Sequence, residues 1–83
     1  MDDYQEEKQL TLKNLVEAAE LTEPELSQKM GVGLRIISDW KAGRKVPRFD
    51  NAIALARELG VSLKTLARAM NLDVSGIPDD EPL

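Results

Sequence analysis

"SQKMGVGLRIISDWKAGRK", Ser27 to Lys45, decides the fold. Two runs with apolar residues at helical spacing meet at a glycine, with Leu26 and Met30 before Gly31 and Val32, Ile37 and Trp40 after it. A helix-turn-helix needs a small residue where its helices touch, a turn glycine, and apolar pegs around both. Here Ser27 is the small residue, Gly31 the turn, and Leu26, Met30, Val32, Ile37 and Trp40 the pegs. Gly43 closes the second helix, since glycine adopts the left-handed conformation that ends a helix. From residue 29 to 48 the chain carries Lys29, Arg35, Lys41, Arg44, Lys45 and Arg48 against Asp39 alone, a net +5 within a chain of net −4.

The compensating acidity lies elsewhere. Residues 1–28 hold eight acids against Lys8 and Lys13, a net −6; residues 49–72 come to +1 and residues 73–83 to −4. An acidic protein can therefore present a local positive face to a polyanion, with weak long-range attraction and strong salt dependence. Length and composition limit the alternatives. A chain of 83 residues supports one small domain. With no cysteine there is no disulfide framework or thiolate metal site, and with no histidine the commonest general base and metal ligand are missing. No convergent set of Asp, Glu, Lys, Ser or Tyr4 forms a catalytic constellation, so the expectation is a protein that is not an enzyme and uses no metal or cofactor. The opening MDDYQEEK is acidic where a secretory signal is basic and then apolar, and no apolar run approaches the roughly 20 residues that span a bilayer. This predicts a soluble, cytoplasmic protein with no membrane association.

Working outward, apolar residues recur at helical spacing in five blocks, with no alternating strand pattern. The first has Leu12, Leu15, Val16 and Ala19, with Thr11 as its cap. The second starts at Thr22, with Glu25 as capping-box partner and Leu21 placed to staple on Leu26. The third begins after Gly33, where Val32 and Ile37 repeat the staple spacing, and Trp40 at this register is a packing residue rather than a stacking platform for bases. After the loop RKVP a fourth helix runs from about Arg48 to Leu59, with Phe49, Ala52, Ile53, Ala56 and Leu59 facing inward. Gly60 ends it, and Ser62 caps a fifth whose inner residues are Leu63, Leu66 and Met70. The prediction is an all-α, compact bundle of about five short helices over residues 10–72, with poorly ordered acidic ends at residues 1–9 and 73–83.

From about Leu12 to Leu72 the chain resembles the Xre or Cro/C1-type helix-turn-helix family, which includes the lambdoid phage repressors. The likeness rests on "LTEPELSQKMGV", "IISDWKAGRKVP" and "IALARELGVSLKTL", three parts in the family's order and spacing. It implies a recognition helix from about Leu34 to Ala42 in the major groove of double-stranded DNA, and a sequence-specific, repressor-like transcriptional regulator. Carried over by position, the base-facing residues are Leu34, Arg35 and Asp39, with Ser38 nearby. A guanidinium pairs in bidentate fashion with guanine, which singles out Arg35. The alternative for Arg35 is a solvated charge paired with Asp39 at i+4. Asp39 has two roles open, accepting from cytosine N4 or orienting Arg35, and Leu34 suits a thymine methyl.

Phosphate contacts, on the same resemblance, come from the first turn of the second helix, Thr22 and Glu23, and from Lys41, Arg44, Lys45 and Arg48 around the loop. "VPRF" resembles the Pro-Arg-Phe of some phage repressors, whose Arg approaches the minor groove. Three residues depart from the pattern. Glu23 stands where the family has Gln, Pro24 removes a backbone N–H from that helix end, and Gly33 replaces a Ser or Thr cap. Family members gain affinity as dimers on half-sites one turn apart, about 34 Å, which predicts a homodimer on DNA. The rival is a protein-interaction module in which Leu34 and Ile36 form an apolar patch for a protein partner. No small-molecule ligand site is evident.

Overall fold

The computed structural model describes residues 10–78. Five helices follow in order, and no strand occurs among the described residues: α1 Leu12–Ala18, α2 Glu23–Met30, α3 Leu34–Ala42, α4 Phe49–Leu59 and α5 Leu63–Ala69. The expected acidic N-terminus, residues 1–9, and the last part of the tail, residues 79–83, lie outside the described residues.

The helix starts follow from side-chain chemistry. Thr11 Oγ1 accepts from the Asn14 N–H at 3.1 Å, and Ser62 Oγ from the Thr65 N–H at 3.0 Å. Around α2 the box is reciprocal: Thr22 Oγ1 accepts from the Glu25 N–H at 3.2 Å while Glu25 Oε1 accepts from the Thr22 N–H at 2.9 Å. Gly33 and Arg48, which open α3 and α4, make no side-chain cap bond.

One connection recurs three times. Glu20-Leu21-Thr22, Gly31-Val32-Gly33 and Gly60-Val61-Ser62 each place a left-handed residue first, an apolar residue second and the next helix's cap third. The apolar residue's N–H reaches back to the preceding helix, Leu21 to the Val16 carbonyl, Val32 to Ser27 and Val61 to Ala56, satisfying a terminal acceptor. Its side chain packs against the core and so fixes the angle between successive helices. Glycine supplies the left-handed conformation at residues 31 and 60, but Glu20 adopts φ 59° and Asn71, after α5, φ 62°. Neither stop was expected from the sequence.

The core is built from Leu12 and Val16 of α1, Leu26 of α2, Ile37 and Trp40 of α3, Leu55, Ala56 and Leu59 of α4, and Leu66 of α5. Trp40 packs here as expected. Two expectations for inner faces are corrected. In α4, Phe49 is 72% exposed and Ile53 is also exposed, while Leu55, absent from the expected set, is fully buried. Ala56 and Leu59 are buried as expected and Ala52 packs against the core, so the inner face of α4, which packs on α2 and α5, centres on Leu55, Ala56 and Leu59. Leu63, expected inside, is exposed at the first turn of α5. The chain also keeps its course past the expected boundary at Leu72. Asp73 accepts from the Ser75 N–H and hydroxyl, Ile77 N–H donates to the Val74 carbonyl at 3.1 Å, and Lys64 Nζ reaches the Ile77 carbonyl at 2.9 Å.

Candidate nucleic-acid interface

The turn between α2 and α3 is held from one residue. Ser27's carbonyl accepts from the Gly31 N–H at 2.8 Å and the Val32 N–H at 3.2 Å, and its hydroxyl donates to the Val32 carbonyl. A larger side chain would occupy the space through which that hydroxyl works, so the small residue of the motif is also its clasp. Ile37 and Trp40 then pin the inner edge of α3 to the core. Outward on one side is a contiguous strip, Leu34 and Arg35 exposed, Ser38 half-buried and Ala42 exposed, while Ile36 is exposed on another side of the helix. At about 100° per residue these four fall within roughly one quadrant of the helix.

Six of the expected contact residues, Asp39, Arg44, Lys45, Glu23, Lys41 and Thr22, already have partners within the chain. Asp39 is buried at 9% exposure, and its carboxylate faces the loop rather than Arg35. Arg44 Nε donates to Asp39 Oδ1 at 2.8 Å, and Lys45 Nζ stands 3.9 Å from Oδ2. The cause is the turn at Gly43, where φ is 79° and the Arg44 N–H returns to the Asp39 carbonyl at 2.9 Å, bringing the Arg44 side chain over Asp39. Of the ion pairs open to it, Asp39 makes those with Arg44 and Lys45 rather than the one expected with Arg35. Arg35 makes no ion pair among the described residues.

Glu23 and Lys41, both expected on phosphates, meet each other, with Lys41 Nζ to Glu23 Oε2 at 2.8 Å. The bridge ties the first turn of α2 to the last turn of α3 and neutralises a cation of the face. Thr22's hydroxyl serves the cap, its oxygen accepting from the Glu25 N–H and its O–H facing the Glu25 carboxylate. Arg48 is exposed in the same loop as Arg44 and Lys45. The resulting surface is an outward strip of α3 with a free guanidinium at its start and three exposed cations, Arg44, Lys45 and Arg48, past its end.

A model of the helix-turn-helix family matches residues 12–66, more than half of the 83-residue chain. The chain belongs to the Cro/C1-type helix-turn-helix family. This is a family of DNA-binding regulator domains and not of enzymes, and its fold is all-α, as found here. Comparison with curated proteins and with solved structures gives no match. No helix among the described residues is long and apolar enough to cross a membrane.

As a helix-turn-helix protein, the chain has the second helix of its motif, α3 Leu34–Ala42, where the sequence placed it. The pairing of Asp39 with Arg44 was missed by helix-spacing rules because it crosses Gly43. Its only trace in the sequence is an acid four residues before a closing glycine and a base just after it. Leu34 and Ile36 are both exposed, but two residues along a helix stand about 160° apart around its axis. They therefore lie on different sides of α3 rather than on one face.

Proposed function

We propose that this helix-turn-helix protein is a sequence-specific, double-stranded DNA-binding transcriptional regulator, repressor-like in that it occupies its operator. α3 lies in the major groove. Arg35 reads a guanine, Leu34 packs on a thymine methyl, and Ser38 contributes a hydroxyl that serves either as donor or as acceptor. Arg44, Lys45 and Arg48 take phosphates flanking the groove, and Thr22 lies beside one at the start of α2. Asp39 contacts no base; it holds Arg44 and Lys45 in place before DNA arrives. The protein acts in the cytoplasm, on the nucleoid, as a homodimer on half-sites about 34 Å apart.

The observation that carries this reading is an exposed Arg35 on α3 with no ion pair among the described residues, on the same helix as a buried carboxylate that holds two loop cations. Selection from a randomised duplex pool, followed by sequencing of the bound fraction, tests it. The expected result is an enriched, two-fold-symmetric motif that disappears with Arg35→Ala, and binding of any duplex lost on charge reversal at Arg44 and Lys45. A pool that emerges without enrichment, bound only in proportion to low salt, overturns it.

A further inference from the structure

The cationic loop after α3 and the end of the described chain meet at one recess. About 590 Å³ in volume, it is lined by Val46 and Pro47 of the loop and by Ile77 and Pro78. Arg48 is the residue after Pro47, and Asp79 is the residue after Pro78. The described residues thus end next to the loop that carries Arg44, Lys45 and Arg48, and the sequence continues from there as Asp-Asp-Glu-Pro-Leu, residues 79–83.

Local bonds set that exit. Asp73 Oδ1 accepts from the Ser75 N–H at 2.9 Å and from its hydroxyl at 2.7 Å, and the Ile77 N–H donates to the Val74 carbonyl at 3.1 Å. Lys64 Nζ ties the Ile77 carbonyl to α5 at 2.9 Å. The turn lies beyond residues 12–66, the part that matches the family model.

Charge is complementary across the recess. Asp79, Asp80 and Glu81 follow Pro78, and Arg44, Lys45 and Arg48 surround Pro47. Among the described residues Asp39 alone pairs with these cations, through Arg44 and Lys45, and Arg48 makes no ion pair. Asp50, the acid next to it in sequence, accepts from the Asn51 N–H at 2.8 Å. Three extended residues span about 10 Å, enough to bring the three acids over a recess of this size. Exposed ion pairs are individually weak, but a segment tethered this closely acts at an effective concentration on the order of millimolar. The acids of residues 1–9 have no such placement, since no residue of α1 lines the recess.

We propose that Asp79, Asp80 and Glu81 fold back onto Arg44, Lys45 and Arg48 of the same chain and occupy the loop until a stronger polyanion displaces them. The contact rests on placement and charge alone. Its consequence, that the acidic segment competes with DNA phosphates for the loop, rests on the function proposed above.

Paramagnetic relaxation in the full chain without DNA tests the contact. The sequence has no cysteine, so Leu83→Cys takes a single nitroxide label. At low salt the label is expected to broaden the amides of residues 44–48 to an extent independent of protein concentration. The broadening should weaken in 1 M salt, where the screening length is about 3 Å, and in the labelled chain that also carries Asp79→Asn, Asp80→Asn and Glu81→Gln. Broadening that is absent, that is the same in all three samples, or that grows with protein concentration overturns the proposal. On duplex DNA the same three substitutions should tighten binding about 3- to 10-fold at low salt, the effect of a few exposed ion pairs. A matched set, Asp2→Asn, Asp3→Asn and Glu6→Gln, changes the net charge equally and should do less; equal gains would assign the effect to net charge and overturn the competition. A contact present in a protein that ignores all DNA would sink the proposed function and leave the contact standing, and operator selection without the contact would do the reverse.

Discussion

Arg35 and Asp39 stand one turn apart on α3, a spacing that by itself reads as an ion pair. The tertiary structure pairs Asp39 elsewhere, because the Gly43 turn delivers Arg44 to Asp39 at 2.8 Å, and no ion pair to Arg35 occurs among the described residues. Their substitutions should therefore differ in kind. Arg35→Ala is expected to lose about 1–3 kcal/mol of discrimination between operator and scrambled duplex in a competition titration, with thermal stability unchanged. Arg35→Lys keeps the charge but not the two-pronged donor, so it should retain salt-dependent binding and still lose discrimination. Asp39→Asn should cost about 0.5–1 kcal/mol in urea unfolding, a modest figure because Arg44 is exposed and screened. It should also weaken operator binding more than scrambled binding, since the loop cations lose their fixed position. Equal weakening on both duplexes would show that Asp39 positions nothing.

The repeated connection of a left-handed residue, an apolar residue and a cap explains how helices this short persist. Each end groups its terminal carbonyl, the next start and a core side chain in three residues, so α1, α2, α4 and α5 are stabilised at their junctions as much as along their length. The weak copy is the first, where Glu20 takes φ 59°. Glu20→Gly should raise stability by about 0.5–1 kcal/mol, read as a higher urea midpoint at unchanged m-value, because a β-carbon is disfavoured in that conformation. The α2 cap has a pH signature. The Thr22 N–H bond to Glu25, and then the Thr22 hydroxyl bond, hold the Glu25 carboxyl below its ordinary value. A folded-state pKa that is depressed gives stability that is present above the unfolded value and is lost as pH falls through the folded one. Glu25→Gln keeps a capping-box residue without the titration, so the stability gap between wild type and variant should close as pH falls through the acid range; a gap constant with pH would contradict the assignment. Glycines at residues 31, 43 and 60 made three helix ends legible in the sequence. Glu20 and Asn71 were not legible, since a non-glycine residue adopts the left-handed region only when the packing around it demands it.

Along the whole chain the positive stretch, residues 29–48, lies between acidic ones, and DNA affinity should reflect which of its cations remain unspent. Lys41 is neutralised by Glu23 at 2.8 Å, across the junction of α2 and α3. Glu23→Gln should release that cation to a phosphate, tighten binding, and steepen the slope of log K against log salt by about 0.9. An unchanged slope would place Lys41 away from DNA. Helix number, order, most boundaries, the helix-turn-helix and the clustering of positive charge all followed from local signals: caps, glycines and a 3.6-residue apolar period, each expressed within a few neighbouring residues. Three matters did not. The side of α4 that is buried depends on where α2 and α5 sit, and the apolar pattern from Phe49 to Leu59 accommodates more than one rotation of the helix. The partner of Asp39 depends on a chain reversal, and the loss of Lys41 to Glu23 spans 18 positions. Periodicity reports which residues can face inward and which charges are near in sequence; only the packed chain determines which face is covered and which charges meet, because burial and ion pairing depend on distance in space.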